Sequence, residues 1–144
     1  IANLVAYYAM RERAAEFGMN PDMLVKNDLV IDGGLRSLEI CKRAGVDVAY
    51  GSDLLGQLQV DQSREFLLRS EVVRPIDIIR SATTIGARVV RMEGKLGTLK
   101  AGALADIIVV DGDPLANLGL FQGQGQHLSV IMKDGAFHKN RLAA

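Results

Sequence analysis

The sequence has one cysteine, Cys41, and two histidines, His127 and His138. A single thiol excludes an internal disulfide and a cysteine-rich metal site. Cys41 itself reads as a small buried residue on a helix. The spacing of the two histidines fits no ligand motif, and both read as surface or hairpin residues. Charge of one sign is missing as well: Lys plus Arg and Asp plus Glu number 17 each. A nucleic-acid surface would show as a basic excess or a clustered basic stripe. No apolar run reaches the roughly 18 residues of a membrane span. No charged stretch leading into an apolar core and a small-residue cleavage site marks a signal peptide. These absences lead us to expect a soluble, cytoplasmic chain with neither nucleic acid nor membrane as partner.

What is present is apolar: 49% of the 144 residues, enough for a sizeable core in a chain the size of one ordinary domain. The chain opens on Ile1, and "IANLVAYYA" (residues 1–9) reads as a strand over Ile1–Tyr8, with β-branched and aromatic residues at its heart. A strand at a terminus needs neighbours to pair with. We therefore expect the C-terminal piece of a longer polypeptide, a trimmed or processed start being the alternative. Gly18 is placed to stop the charged segment "MRERAAEFG". Asn20 and Pro21 form a helix start signal. Asp32–Gly33–Gly34 should interrupt the segment begun there, and "LRSLEICKRAG" should resume as a helix with Leu35, Leu38 and Cys41 on one face, ended by Gly45.

"VDVAYG" is the next strand, and "DQSREFLLRSEVV" the next helix, with Phe66, Leu67 and Val73 as its apolar face. Asp61, Arg64 and Glu65 read as its solvated face. Pro75 starts a further helix, "IDIIRSATTIGARVVRM", with Ile76, Ile79, Thr83, Ala87 and Val90 at helical spacing. After Met92 the texture becomes glycine-rich. "ADIIVVD" reads as a short buried strand. "VIMKDGAFHKN" carries Asp134-Gly135 between strand-like flanks, a hairpin signal. "QGQGQ" (residues 122–126) is a flexible loop. "DGDPL" lacks the further oxygen ligands of a calcium loop and reads as a turn. "GKLGTLKAG", with Lys95 and Lys100, lacks the GK[ST] of a phosphate cradle. Strands separated by helices imply parallel pairing with right-handed crossovers, and parallel sheets are wide and covered on both faces. Two such strands fall short of a sheet, so the pattern again fits part of a larger α/β body with a small β domain attached.

"AYGSDLLG" raises a chemical question, because Asp53 stands where an apolar strand ends. In barrels of alternating strands and helices, chemistry gathers at those strand ends. A carboxylate there can bind a cation and take a proton from metal-bound water. It can equally cap a helix or serve a plain turn, and the local residues leave all three open.

The run "SATTIGARVVRMEGKLGTLKAGALADIIVVDGDPL", together with "AYGSDLLG", resembles the C-terminal third of the amidohydrolase superfamily. The nearest subgroups are the imidazolonepropionase-like and Xaa-Pro dipeptidase-like metal-dependent hydrolases. The resemblance runs from about Asn3 to Asn140. It implies an α/β fold: residues 1–92 as the last βα units of a distorted (β/α)8 TIM-like barrel, and residues 93–144 as C-terminal strands of a small β-sandwich. It makes Ile1–Tyr8 the seventh barrel strand and Val46–Tyr50 the eighth. It makes Asp53 a ligand of the more buried metal and the group that relays a proton to the leaving amine. Ser52 would orient that loop. Tyr7 or Tyr8 would face the substrate, Tyr7 matching a position where the subgroup often has Tyr, with core packing the alternative; Leu54, Leu55 and Gly56 would line an apolar pocket or pack as ordinary loop.

The implied cofactor is a divalent metal, zinc, as one or two ions. The family's other ligands, an HxH pair, a carboxylated lysine and two further histidines, have no counterpart in the sequence. This chain alone should therefore be inert, its partners being a small amide or dipeptide substrate and the rest of its own polypeptide, with a homo-oligomer also in keeping with the family. The implied activity is hydrolysis of amide-like C–N bonds in dipeptides, Xaa-Pro or N-acyl amino acids. Two readings compete with it: a non-catalytic scaffold or assembly protein on the same fold, and an independent small ligand-binding domain. The second predicts that the chain folds alone as a monomer, whereas the fragment reading predicts exposed apolar faces and aggregation.

Overall fold

Asn20 and Pro21 open the longest helix as their types dictate. The Asn20 side chain accepts a hydrogen bond from the Met23 amide at 2.9 Å, and Pro21 takes the first helical position. In the computed structural model, which describes residues 2–142, this helix runs from Pro21 to Arg43 and is labelled α2; α1 is Val5–Glu12. The expected interruption at Gly33–Gly34 does not occur. A side chain at position 34 would place its Cβ 2.2 Å from a Leu4 methyl carbon, so the missing Cβ serves close approach to Leu4 rather than a break. Helix α2 buries Asn27, Ile31 and Leu38 and leaves Val25, Leu29, Val30 and Ile40 exposed. Cys41 is half-buried on it.

The strand expected over Ile1–Tyr8 is a correction. Ile1 lies outside the described residues, Ala2–Leu4 form no ladder, and Val5–Tyr8 belong to α1. The physical reason lies in the spacing. Val5 and Ala9, four apart, are the fully buried pair of α1, and they pack with Leu54 in one core cluster. Val5 is the one β-branched residue of the segment Ala2–Tyr8, and the alanines beside it favour helix. Val46–Tyr50 likewise forms no strand ladder among the described residues. An extended segment becomes a strand only through hydrogen bonds to a neighbour.

A buried ion pair ties these segments together. Helix α3, Arg64–Arg69, follows a 3₁₀ segment over Gly56–Asp61. Glu65 was expected on a solvated face; it is fully buried, and Arg69 is nearly so. Glu65 Oε2 accepts the Leu4 and Val5 amides at 2.9 and 2.8 Å, N–H groups that the start of α1 cannot satisfy internally. Glu65 Oε1 accepts Arg69 Nε at 2.8 Å. Arg69 Nη2 donates onward to the Ala49 carbonyl at 3.1 Å and to the Ala2 carbonyl. Burial raises the Glu65 pKa, while the Arg69 guanidinium and the Val5 and Leu4 amides pull it down.

Asp61 and Arg64 are not a free polar face either. Arg13 Nη2 donates to Asp61 at 3.1 Å, and Arg64 grips Glu12 with two bonds of 2.6 and 2.8 Å.

The chain divides into two units, Ile1–Arg74 and Pro75–Ala144. In the second, the single helix expected after Pro75 is two: α4, Pro75–Ala82, and α5, Thr84–Val89. Ser81 Oγ donates to the Ile78 carbonyl at 2.6 Å and Thr83 Oγ1 to the Ile79 carbonyl at 2.7 Å. Such back-bonding by hydroxyls competes with the helix ladder, and the break falls at Thr83. The buried face is set by Ile78, Ser81 and Ala87, of which the expected apolar set contains Ala87 alone.

Strands β1 (Ile107–Val110), β2 (Leu128–Lys133) and β3 (Ala136–Asn140) form one antiparallel sheet in that order. The Asp134-Gly135 turn has positive φ at both residues, 49° and 80°, as a tight hairpin requires. Asp106 accepts Lys133 Nζ at 2.5 Å and the Asp134 amide at 2.7 Å, and these bonds hold its carboxyl below the usual range. Strand β1 was expected buried, yet Ile108 and Val109, neighbours that point to opposite faces, are both exposed on this edge strand. A second sheet, which a sandwich needs, is not found among the described residues.

The Glu65–Arg69 pair makes a stability prediction. Glu65→Ala leaves a buried guanidinium unpaired, and in the intact protein it should lower the unfolding free energy by about 3–5 kcal/mol by chemical denaturation. A loss below about 1 kcal/mol, the range of surface pairs, would show that the pair is not a structural tie.

Candidate active site

Within the first unit, α1 and the segment Asp53–Leu55 face each other across a groove of about 490 Å³. Tyr7 enters from α1, Arg13 from its C-cap and Phe17 from the turn beyond; Asp53, Leu54 and Leu55 form the opposite wall. Tyr7, Asp53, Leu54 and Leu55, proposed from sequence, are thus brought to one place. Gly56 begins the 3₁₀ segment and lies outside the lining. Leu54 is 6% exposed and anchors the wall in the Val5–Ala9 cluster, whereas Leu55 is 77% exposed at the mouth. Ser52 is half-buried beside them.

Asp53 is exposed and has φ 56°, in the left-handed region where Asp and Asn are the better-tolerated side chains. It caps no helix. The cap position of the following 3₁₀ segment is Leu55, and no side-chain cap bond forms there. Among the described residues, no hydrogen bond or ion pair engages the Asp53 carboxylate. The local competition between cap, turn and functional carboxylate is therefore decided against the cap.

Three interactions fix the groove's frame. Arg69 holds the carbonyl of Ala49, four residues before Asp53, and Glu65 holds the amide of Val5, two residues before Tyr7. Tyr50 donates its hydroxyl to the Gln62 carbonyl at 2.7 Å, with its ring 4.4 Å from that of Phe66 and 5.2 Å from the Arg69 guanidinium. Burial, with Glu65 nearby, pushes the Tyr50 phenol well up, so it stays a protonated donor. The Arg64 hydrogen bonds hold the Glu12 carboxyl below its usual range, and Glu12 raises the guanidinium in turn.

Sequence reasoning missed Arg13 and Phe17 on the groove, and the burial of Glu65 and Arg69. The 65/69 spacing was visible as an i,i+4 pair, yet spacing does not distinguish an ion pair in water from one in a core.

No group of three or more His, Cys, Asp or Glu among the described residues is placed to hold a metal ion. A catalytic zinc ion takes about three protein ligands. Asp53 offers one hard oxygen donor. His127 and His138 belong to the second unit, where His138 is exposed on β3 and His127 meets the Gln126 amide nitrogen. The described residues therefore do not make a metal site by themselves. No helix among them is long and apolar enough to cross a membrane.

The profile of the amidohydrolase family matches residues 2–136. A curated relative, 5-methylthioadenosine/S-adenosylhomocysteine deaminase 1 of Syntrophus aciditrophicus (strain SB), is 30% identical over 112 residues, covering 70% of this chain and 24% of the deaminase. The crystal structure of an amidohydrolase superposes with TM-score 0.89 at 44% identity, covering 97% of this chain and 34% of that one. That of a prolidase complexed with N-methylphosphonate-L-proline gives 0.87 at 41% identity, over 96% and 34% of the two chains. These likenesses define an α/β segment of a larger hydrolase fold, and the chain spans about a quarter to a third of the relatives' lengths. The chain belongs to the amidohydrolase family.

The conformation at Asp53 can be tested apart from its chemistry. Asp53→Asn, which tolerates positive φ, should leave the stability of the intact protein within about 0.5 kcal/mol. Asp53→Val should cost about 1–3 kcal/mol through backbone strain. Equal stability of the two variants in thermal melts would contradict the left-handed conformation.

Proposed function

We propose that the longer polypeptide corresponding to this chain hydrolyses amide- or peptide-like C–N bonds, its substrates being dipeptides, Xaa-Pro or N-acyl amino acids, and that this chain alone is inactive. In this reading residues 1–92 complete a TIM-like barrel, residues 93–144 contribute strands to a small β-sandwich, and the protein works in the cytoplasm. The observation that carries it is the unpartnered Asp53 carboxylate on a groove shared with Tyr7, Leu54 and Leu55. The likeness to a prolidase at 41% identity supports the substrate class. No observation favours the scaffold reading.

A divalent ion, zinc by the family resemblance, would acidify water and polarise the scissile carbonyl when bound. Asp53 would supply one oxygen ligand to that ion, the other ligands coming from residues outside this chain. This chain's own chemistry is narrower. The Asp53 carboxylate accepts a proton from the attacking water and returns it to the leaving nitrogen, which cannot depart as an anion near neutral pH. The Tyr7 hydroxyl offers a donor to the bound substrate, and Leu54 and Leu55 supply an apolar wall.

The test is turnover of a dipeptide and N-acyl amino acid panel by the intact protein. Asp53→Asn should lower kcat by roughly 10²–10⁴-fold, the usual contribution of a positioned acid–base group. Unchanged turnover with full metal occupancy would remove Asp53 from the mechanism.

A further inference from the structure

The groove wall that begins with Asp53–Leu55 continues into the 3₁₀ segment Gly56–Asp61, which contains no buried residue. Leu58 reaches the Val5–Ala9–Leu54 cluster but is only partly buried, and Val60 is exposed. Apolar burial therefore holds this wall weakly. Charge spans from it to α1. Glu12, the last residue of α1, accepts Arg64 Nη1 and Nη2 at 2.8 and 2.6 Å. Arg13, at the C-cap of α1, donates Nη2 to Asp61 Oδ2 at 3.1 Å.

The two pairs have opposite polarity. Glu12 and Arg13 are neighbours of opposite charge, and each faces its complement; exchanging their partners would oppose like charges. The forked bond between Arg64 and Glu12 fixes distance and angle as well as supplying attraction. These side chains are partly exposed, Glu12 by 50% and Arg64 by 30%, so the pairs add little to stability. What they supply is register. Asp53 lies between two fixed points: Arg69 holds the Ala49 carbonyl before it, and Asp61 and Arg64 tie the chain after it to the end of α1.

We infer that Glu12–Arg64 and Arg13–Asp61 are positioning pairs, which set the distance across the groove between the Asp53 carboxylate and a substrate resting against Tyr7 on α1. The inference rests on the hydrolase reading above, and its test separates the two. Reacting groups must meet within a fraction of an ångström, and a misplacement of about 1 Å costs roughly a hundredfold in rate.

The intact protein is assayed as wild type, Glu12→Arg, Arg64→Glu and the double charge reversal. Each single variant opposes like charges and should lower kcat about ten- to a hundredfold, with a smaller change in KM. Its thermal midpoint should stay within about 3 °C of the wild type, as for an exposed pair. The double reversal should regain most of the lost kcat. Arg11→Gln is the control: Arg11 pairs with Asp28 at 3.1 Å between α1 and α2, away from the groove, and kcat should not change. Single variants with wild-type kcat, a kcat loss that the double reversal does not repair, or an equal loss in Arg11→Gln overturns the inference. A loss of kcat that only follows a large fall in thermal midpoint overturns it too, since the pairs would then be structural. Absence of turnover by the wild type on the whole substrate panel overturns the hydrolase reading, and the positioning role with it.

Discussion

A carboxylate and a guanidinium buried side by side determine how the first unit is put together. Glu65 and Arg69 lie one turn apart on a six-residue helix, and their side chains reach the backbone of Ala2, Leu4, Val5 and Ala49. Ala2, Leu4 and Val5 meet them from one direction and Ala49 from another. These are the segments that a complete sheet would secure by ladder hydrogen bonds. With no strand paired to them among the described residues, the ion pair sets their spacing. Such a pair is costly to desolvate, and the hydrogen bonds to Ala2, Leu4, Val5 and Ala49 offset that cost. The groove inherits its geometry: Tyr7 follows the amides held by Glu65, and Asp53 follows the carbonyl held by Arg69.

At Asp53 local and functional demands part. A residue chosen only for the turn would be glycine, which meets a φ of 56° without steric cost. A residue chosen for capping would have its oxygen on an amide. Asp53 satisfies neither demand and keeps its carboxylate unpartnered on the groove. It is this unpartnered carboxylate that the proposed function uses.

How much of this was legible in the sequence depended on the range of the interaction responsible. The Asp134-Gly135 hairpin, β1 and the Asn20–Pro21 helix start were readable because turn chemistry and capping act within a few residues. Gly34 was misread because its reason lies in Leu4, some thirty residues away. Val5–Tyr8 alternates plausibly as a strand, and only the amide partners supplied by Glu65 reveal the start of a helix. Glu65 and Arg69 look like a solvated pair until the segments that cover them are placed. The candidate site was legible through Asp53 and its flanking leucines, and through Tyr7. Arg13 was not, since nothing in a charged stretch such as "RERAAE" marks which arginine turns to the groove.

The account stands or falls on what the Asp53 carboxylate touches in the intact protein. The direct measurement is anomalous diffraction at a metal absorption edge from crystals of that protein loaded with zinc. The account predicts an anomalous peak within bonding distance of an Asp53 carboxylate oxygen, at the groove lined by Tyr7 and Leu54. A metal bound elsewhere, with Asp53 hydrogen-bonded to neighbouring backbone amides, would contradict it.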